Sequence, residues 1–215
     1  MRVVNPGVDA SYFVPVGCDP AVRGRLGWGQ RPVLLTVGRL QARKGQDRVI
    51  QALPKVIQAV PDLVYAIVGD GSEKERLVKL VEGFGLQDSV RFYSDCDDAT
   101  VLAMYQQSDL FILANRQIGS DVEGFGMVLL EAAACAKPTL AGNSGGTKEA
   151  IVDGTTGRVI DGDDSEAVAT AIIDLLSSPT IAQSMGAAGR RRVEAEFDWP
   201  ILAAKVGQAF GLDKP

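Results

Sequence analysis

Histidine is absent from the 215 residues. Without an imidazole there is no serine–histidine–aspartate hydrolysis, no cysteine–histidine proteolysis and none of the common histidine zinc sites. Cysteine occurs three times, at Cys18, Cys96 and Cys135, an odd number without paired spacing. Such usage argues against a disulfide framework and fits a reducing compartment. A basic excess is also missing. The formal net charge is -5, and the one dense cationic run is the short AGRRRVE around Arg190, Arg191 and Arg192. A general affinity for nucleic acid or anionic lipid is therefore not expected. No apolar run approaches a membrane span, and the first residues lack the apolar core of a signal peptide. A cytoplasmic protein is the expectation. Two phosphate-binding signatures are also lacking, the Walker loop GxxxxGK[ST] and the dinucleotide fingerprint GxGxxG. Their absence weighs against P-loop nucleotide hydrolysis and against nicotinamide or flavin chemistry.

What remains is the composition of a globular chain, 46% hydrophobic and 23% charged, long enough to bury a core. Residues 1–30 carry prolines and glycines and read as an irregular, extended lead-in. Short apolar runs then alternate with helical periodicity. PVLLTVG, LVYAIVG, SVRFY, DLFILA, PTLAG and GRVI read as strands. Segments such as QDRVIQALPKVIQAV, SEKERLVKLVEGFG and SEAVATAIIDLLSS read as helices. Asp98 and Thr147 stand where helix N-caps are expected, and Ser72 is a further candidate cap. Uninterrupted apolar strands separated by helices predict an α/β fold, a Rossmann-like three-layer sandwich around a parallel sheet. Ligands in that architecture bind outside the carboxyl ends of the strands. The polar motifs GRLQARKG, GDGSEK, YSDCDD, ANRQIGSDVEGFG and GNSGG all follow strands.

Three of these segments carry candidate chemistry. In VGRLQARKG, Gly38 ends a strand, and Arg39, Arg43 and Lys44 follow at the mouth of the crevice. Cations at that height suit a diphosphate, although a solvated turn is the plain alternative. In EGFGMVLLE, Gly124, Phe125 and Gly126 lead into a helix whose first amides, from Gly126, Met127 and Val128, lack helical partners. A helix start of this kind is a ready anion site. Glu131 lies inside that helix among Leu129, Leu130 and three alanines, where a carboxylate needs donors such as sugar or ribose hydroxyls. Glu123 sits just before the helix. Such a carboxylate pair also fits a glycosidase, but a glycosidase has no use for a phosphate cradle. Gly145 and Gly146 in GNSGG form either a second amide surface or a plain loop. VGDGSEKE reads first as a structural turn. Cys96 with its flanking carboxylates is too isolated a ligand set for a metal.

Taken together, these segments resemble the nucleotide-sugar-dependent retaining glycosyltransferases of the GT-B fold, family 4, also called glycosyl transferases group 1. EGFGMVLLE resembles that family's E-x7-E signature, VGRLQARKG its diphosphate-holding loop, and NPGVDASYF its passage between domains. ANRQIGSDVEGFG is most similar to the phosphatidylinositol mannosyltransferase-like branch. The resemblance implies the C-terminal, nucleotide-sugar-binding half of a GT-B enzyme. Residues 1–30 would be the interdomain crossover, 31–198 the donor domain, and 199–215 a helix that returns to a missing N-terminal acceptor domain. That helix would fray, pack on its own domain or meet another copy. The resemblance further implies a hexosyltransferase using GDP-mannose or a UDP-sugar, without metal or other cofactor. Arg39, Lys44 and Glu123 would be catalytic. Gly38, Arg39, Lys44, Glu123, Gly124, Phe125, Gly126, Met127, Val128 and Glu131 would hold the donor. Glu131 would take the ribose hydroxyls and Glu123 a hydroxyl of the transferred sugar. The expected partners are the nucleotide-sugar and the acceptor domain, in cis or as a separate chain. The full protein would be cytoplasmic or peripheral to the inner membrane face. A non-catalytic binding domain and a subunit of a split transferase are the alternative readings. Epimerases that share the architecture fit less well, because they draw on histidine.

Overall fold

Six short apolar segments form the centre of the molecule. The computed structural model describes residues 4–211. The strands are β1 (Val33–Val37), β2 (Val64–Val68), β3 (Val90–Tyr93), β4 (Leu110–Leu113), β5 (Thr139–Gly142) and β6 (Arg158–Ile160). All neighbouring pairs are parallel, in the order β3-β2-β1-β4-β5-β6. Side chains alternate between two faces, as the pleat requires. Leu34, Tyr65, Ile67, Leu110 and Ile112 join one core. Val33, Leu35, Val64, Ala66, Phe111 and Leu113 join the other. Thr36 is the polar exception in β1. Its hydroxyl is satisfied inside the sheet by the Ile112 carbonyl at 2.7 Å and the Tyr65 hydroxyl at 2.9 Å.

Helices cover both faces, giving the expected three layers. The helices are α1 (Pro20–Arg25), α2 (Gln46–Ala59), α3 (Lys74–Gly83), α4 (Asp98–Gln107), α5 (Met127–Ala134), α6 (Thr147–Ala150), α7 (Ser165–Leu176), α8 (Pro179–Arg192) and α9 (Trp199–Phe210). Apolar residues of α2, α3 and α7 pack on the first face, and those of α4 and α5 on the second. α2 runs unbroken through Pro54. After β1 the chain winds outward through β2 and β3, and β4 then starts in the opposite direction. The order reverses between β1 and β4, so a crevice opens above their carboxyl ends.

Several local expectations are corrected. Residues 20–25 form α1, capped by the Asp19 carboxylate at the Ala21 and Val22 amides. Parts of the lead-in join the core, with Val8, Ala10 and Trp28 all buried, while residues 15–21 stay exposed. Asp97, not Asp98, caps α4 by accepting from the Thr100 amide at 2.8 Å. Thr147 is the first residue of α6, and its hydroxyl donates to the Gly142 and Ser144 carbonyls. Ser72 caps nothing, because α3 begins after Glu73. The amino end of α9 packs on its own domain, with Leu202 buried against Gly7, while Trp199, Ile201 and Phe210 stay exposed. Residues 1–3 and 212–215 of the proposed segments lie outside the described residues.

Candidate functional site

The crevice walls are built by backbone packed on backbone. Gly38 leaves β1 at a positive φ of 144°. A Cβ on Gly69 would fall 2.3 Å from the Gly38 carbonyl oxygen, and one on Gly71 would fall 2.4 Å from that of Leu40. The GDG segment is therefore a structural turn that supports the loop after β1. That loop makes a 3-10 turn at Ala42–Lys44 and enters α2 through Gly45, whose φ is 76°. A Cβ there would lie 1.8 Å from the Ala114 carbonyl oxygen, so only glycine lets α2 start against the end of β4. Across the crevice, the Arg116 amide donates to the Arg43 carbonyl at 2.9 Å and locks the two loops together.

One carboxylate joins the loops by charge. Glu123 Oε2 lies 2.6 Å from Arg43 Nη1 and 2.6 Å from Lys44 Nζ. Arg43 Nε also reaches Asp121 at 3.0 Å. The side chains of Arg43, Lys44 and Glu123 are 11%, 10% and 9% exposed, so this cluster is shielded from solvent screening. Two cations share the buried carboxylate of Glu123, and the exposed Asp121 offsets the second charge from the solvent side of Arg43. The Lys44 ammonium lies over Gly38, 4.0 Å from where a Cβ would stand. Arg39 is exposed and has no carboxylate partner among the described residues.

α5 begins at the same edge. Gly126, at φ 83°, precedes it without a side-chain cap. Among the described residues no backbone acceptor outside the helix meets the Met127 and Val128 amides. These amides and the helix dipole offer positive potential to an anion. Gly145 and Gly146 support this turn from behind. A Cβ on either would strike the carbonyl oxygen of Glu123 or Gly124, at 1.8 and 2.2 Å, and the Gly146 amide donates to the Glu123 carbonyl at 3.1 Å. Close approach is thus the reason for both glycines. Phe125 packs its ring 5.9 Å from that of Phe197, which leaves its backbone as the part free to meet a ligand.

Glu131 is half-buried one turn further along. Burial pushes its carboxyl above the ordinary range, and the Tyr105 hydroxyl, donating to Oε2 at 2.6 Å, pulls it partly back. No hydrogen bond or ion pair links Glu131 with Glu123. The two carboxylates therefore do different work: Glu123 is tied to cations, and Glu131 to one neutral donor.

The sequence reading missed an ion network beside the site. Arg116 grips Asp47 with both arms, at 2.7 and 2.8 Å, and both residues are buried. Arg76 adds a second cation to Asp47 at 3.1 Å, and Asp163 meets Arg116 at 3.2 Å. Burial alone would raise the Asp47 carboxyl, but the bonds and charges of Arg116 and Arg76 outweigh it and hold it below its ordinary value. Arg116 follows β4 inside ANRQ, so its place at a strand end was a usable signal. The Tyr93–Asp98 loop after β3 is partly committed to the fold. The Tyr93 hydroxyl accepts from Trp28 Nε1 and donates to the Leu26 carbonyl, each at 2.8 Å. Among the described residues no group of three or more Cys, Asp or Glu residues is placed to hold a metal ion.

Residues 20–192 match the family described as glycosyl transferases group 1. A GDP-mannose-dependent alpha-(1-6)-phosphatidylinositol monomannoside mannosyltransferase from Mycolicibacterium smegmatis is 41% identical over 209 residues, covering 94% of this chain and 54% of that protein. The solved sucrose-phosphate synthase from Thermosynechococcus elongatus superposes with a TM-score of 0.86 at 28% identity, covering 98% of this chain and 52% of that one. The crystallised C-terminal domain of a glycosyl transferase group 1 protein, LpcC, from Francisella tularensis gives a TM-score of 0.79 at 22% identity. It covers 90% of this chain and 100% of that one, a likeness of fold. The chain spans about half the length of the curated relatives it matches. With the parallel sheet and the edge geometry described above, these matches show that the chain belongs to the glycosyl transferases group 1 family and has the C-terminal, Rossmann-like half of the GT-B fold.

Proposed function

We propose that this chain binds the nucleotide-sugar donor of a retaining hexosyltransferase, with GDP-mannose as the donor. The observation that carries this reading is the buried Lys44–Glu123–Arg43 cluster set beside the uncapped start of α5. The naming of the 41% identical relative as GDP-mannose-dependent supports the choice of donor. A diphosphate rests between the Lys44 ammonium, the exposed guanidinium of Arg39 and the amides of Gly126, Met127 and Val128. Gly38, Gly124 and the Phe125 backbone let it approach closely. Glu131 accepts from the ribose hydroxyls with the oxygen that Tyr105 leaves free. Glu123 orients Lys44 and offers Oε1 to a hydroxyl of the sugar. As the bond between the anomeric carbon and the β-phosphate oxygen breaks, negative charge grows on the leaving diphosphate. Lys44 and Arg39 stabilise that charge where it develops.

In this reading residues 1–30 are the crossover, 31–198 the donor domain, and 199–215 the returning helix. The acceptor and its site belong to the other half of the protein, in cis or as a separate chain. The exposed apolar side chains of Trp199, Ile201 and Phe210 are the surface of α9 left for that half to cover. Self-association through this face is the competing outcome, visible as a mass that rises with concentration. No helix among the described residues is long and apolar enough to cross a membrane. We place the full protein in the cytoplasm, peripheral to the inner membrane face where a lipid acceptor would lie. Calorimetry of the chain with GDP, UDP and ADP tests the donor assignment. GDP should bind, UDP and ADP more weakly, and GDP-mannose should undergo little or no transfer by this chain alone. Silence from all three nucleotides would refute it.

A further inference from the structure

A cavity of about 480 Å³ opens at the opposite edge of the sheet. Pro32, Asp109 and Pro138, the residues just before β1, β4 and β5, line it, so it lies beneath the amino ends of the central strands. Its volume is that of a small-molecule site. One wall is apolar, formed by Leu175 and Leu176 at the end of α7 together with Pro138. The lining also holds three charged groups, and two of them are already engaged. Arg23 donates to the carbonyls of Gly29, Gln107 and Arg31 and lies 3.5 Å from Asp109. Asp109 accepts from the Val33 amide at 2.7 Å. The third is the half-buried Lys137, whose ammonium has neither a hydrogen bond nor an ion pair among the described residues. Burial lowers its ammonium below the ordinary value, and Asp109 pulls it partly back.

We propose that this cavity is a binding site for a small amphipathic carboxylate. Its carboxylate pairs with the Lys137 ammonium, and its apolar body lies on Leu175, Leu176 and Pro138. A carboxylate suits the site better than a phosphate dianion, which calls for more donors. The guanidinium fork that usually supplies them is already spent on backbone carbonyls. The site does not depend on the nucleotide-sugar reading, because it uses none of the loops at the carboxyl edge.

Cys18 provides the readout. It is exposed and lines the same cavity, whereas Cys96 is half-buried and Cys135 buried. Octanoate is the probe, with octylamine and octanol as controls of equal length. At saturation octanoate should slow maleimide modification of Cys18 by at least about tenfold, and the amine and alcohol by less than about twofold. Lys137→Met should abolish the protection while leaving the melting temperature little changed, because the ammonium it removes has no protein partner to lose. Lys137→Arg, which keeps the charge, should retain protection and serves if the Met variant fails to fold. Three results would each overturn the proposal: no protection by octanoate, equal protection by octylamine, or full protection of a folded Lys137→Met chain.

Discussion

Lys44→Ala separates a phosphate-binding role for this side chain from a purely structural one. The ammonium is shielded, sits 2.6 Å from Glu123, and lies over the glycine that ends β1. It carries three donors and spends one on Glu123, so two remain for diphosphate oxygens. A full charge pair at 4 Å in a medium of effective dielectric ~20 is worth ~4 kcal/mol before desolvation. Desolvation of the phosphate returns part of that, and charge-assisted hydrogen bonds measured by deletion fall at ~1.5–3 kcal/mol. The expected loss of GDP affinity is therefore about 10- to 150-fold. Guanosine, which lacks the diphosphate, should change by less than about twofold. The substitution does not orphan Glu123, because Arg43 still holds it at 2.6 Å. Stability should fall by only ~1 kcal/mol, within the ordinary range for a point substitution. Titration calorimetry with GDP and guanosine on both proteins decides the matter. Equal losses for the two ligands would show that Lys44 shapes the fold and does not bind phosphate.

Glu131→Gln should behave differently, weakening guanosine and GDP alike by ~1.5–3 kcal/mol, since ribose is common to both; a loss confined to GDP contradicts the assignment. The same variant tests the raised carboxyl. The folded state holds that proton more tightly than the unfolded state, whose value is near 4.5, so this group's contribution declines as pH rises from there through the folded value. Glu131→Gln should remove the decline and raise the melting temperature near neutrality, and an unchanged pH profile would count against it. Asp47→Asn should destabilise the chain by ~3–5 kcal/mol at neutral pH by removing the buried counter-charge of Arg116, which keeps only the exposed Asp163. The Asp47 carboxyl is depressed, so its contribution is present above the ordinary value of 3.8 and is lost as pH falls through the folded value. The gap between parent and variant in urea unfolding should close in acid; a gap independent of pH would refute the ion-pair account.

The central strands were legible because they are buried on both sides and read as unbroken apolar runs, as in VLLTV and LFIL. The shared edge for Lys44 and Glu123 was legible from strand order alone, since both follow parallel strands. Their direct pairing was not, because side-chain reach across a crevice leaves no periodic trace. The Arg116–Asp47 pair spans 69 positions, a separation at which only the folded chain shows contact. α1 escaped notice because six residues between glycines and prolines carry less than two turns of pattern. Trp28 was lost with it, its burial arising from a tertiary bond to Tyr93 rather than from neighbours in the chain. The Asp97 and Asp98 caps differ by one position, below what adjacent identical residues can resolve.

The glycine contacts at Gly45, Gly69, Gly71, Gly145 and Gly146 are made with main-chain oxygens. Residue identity at the far side of each contact is therefore immaterial, because every amino acid brings the same carbonyl. The architecture of the pocket and the chemistry of its surface are thereby uncoupled. Outward-facing positions on this frame can change without shifting the backbone, provided those five sites stay bare.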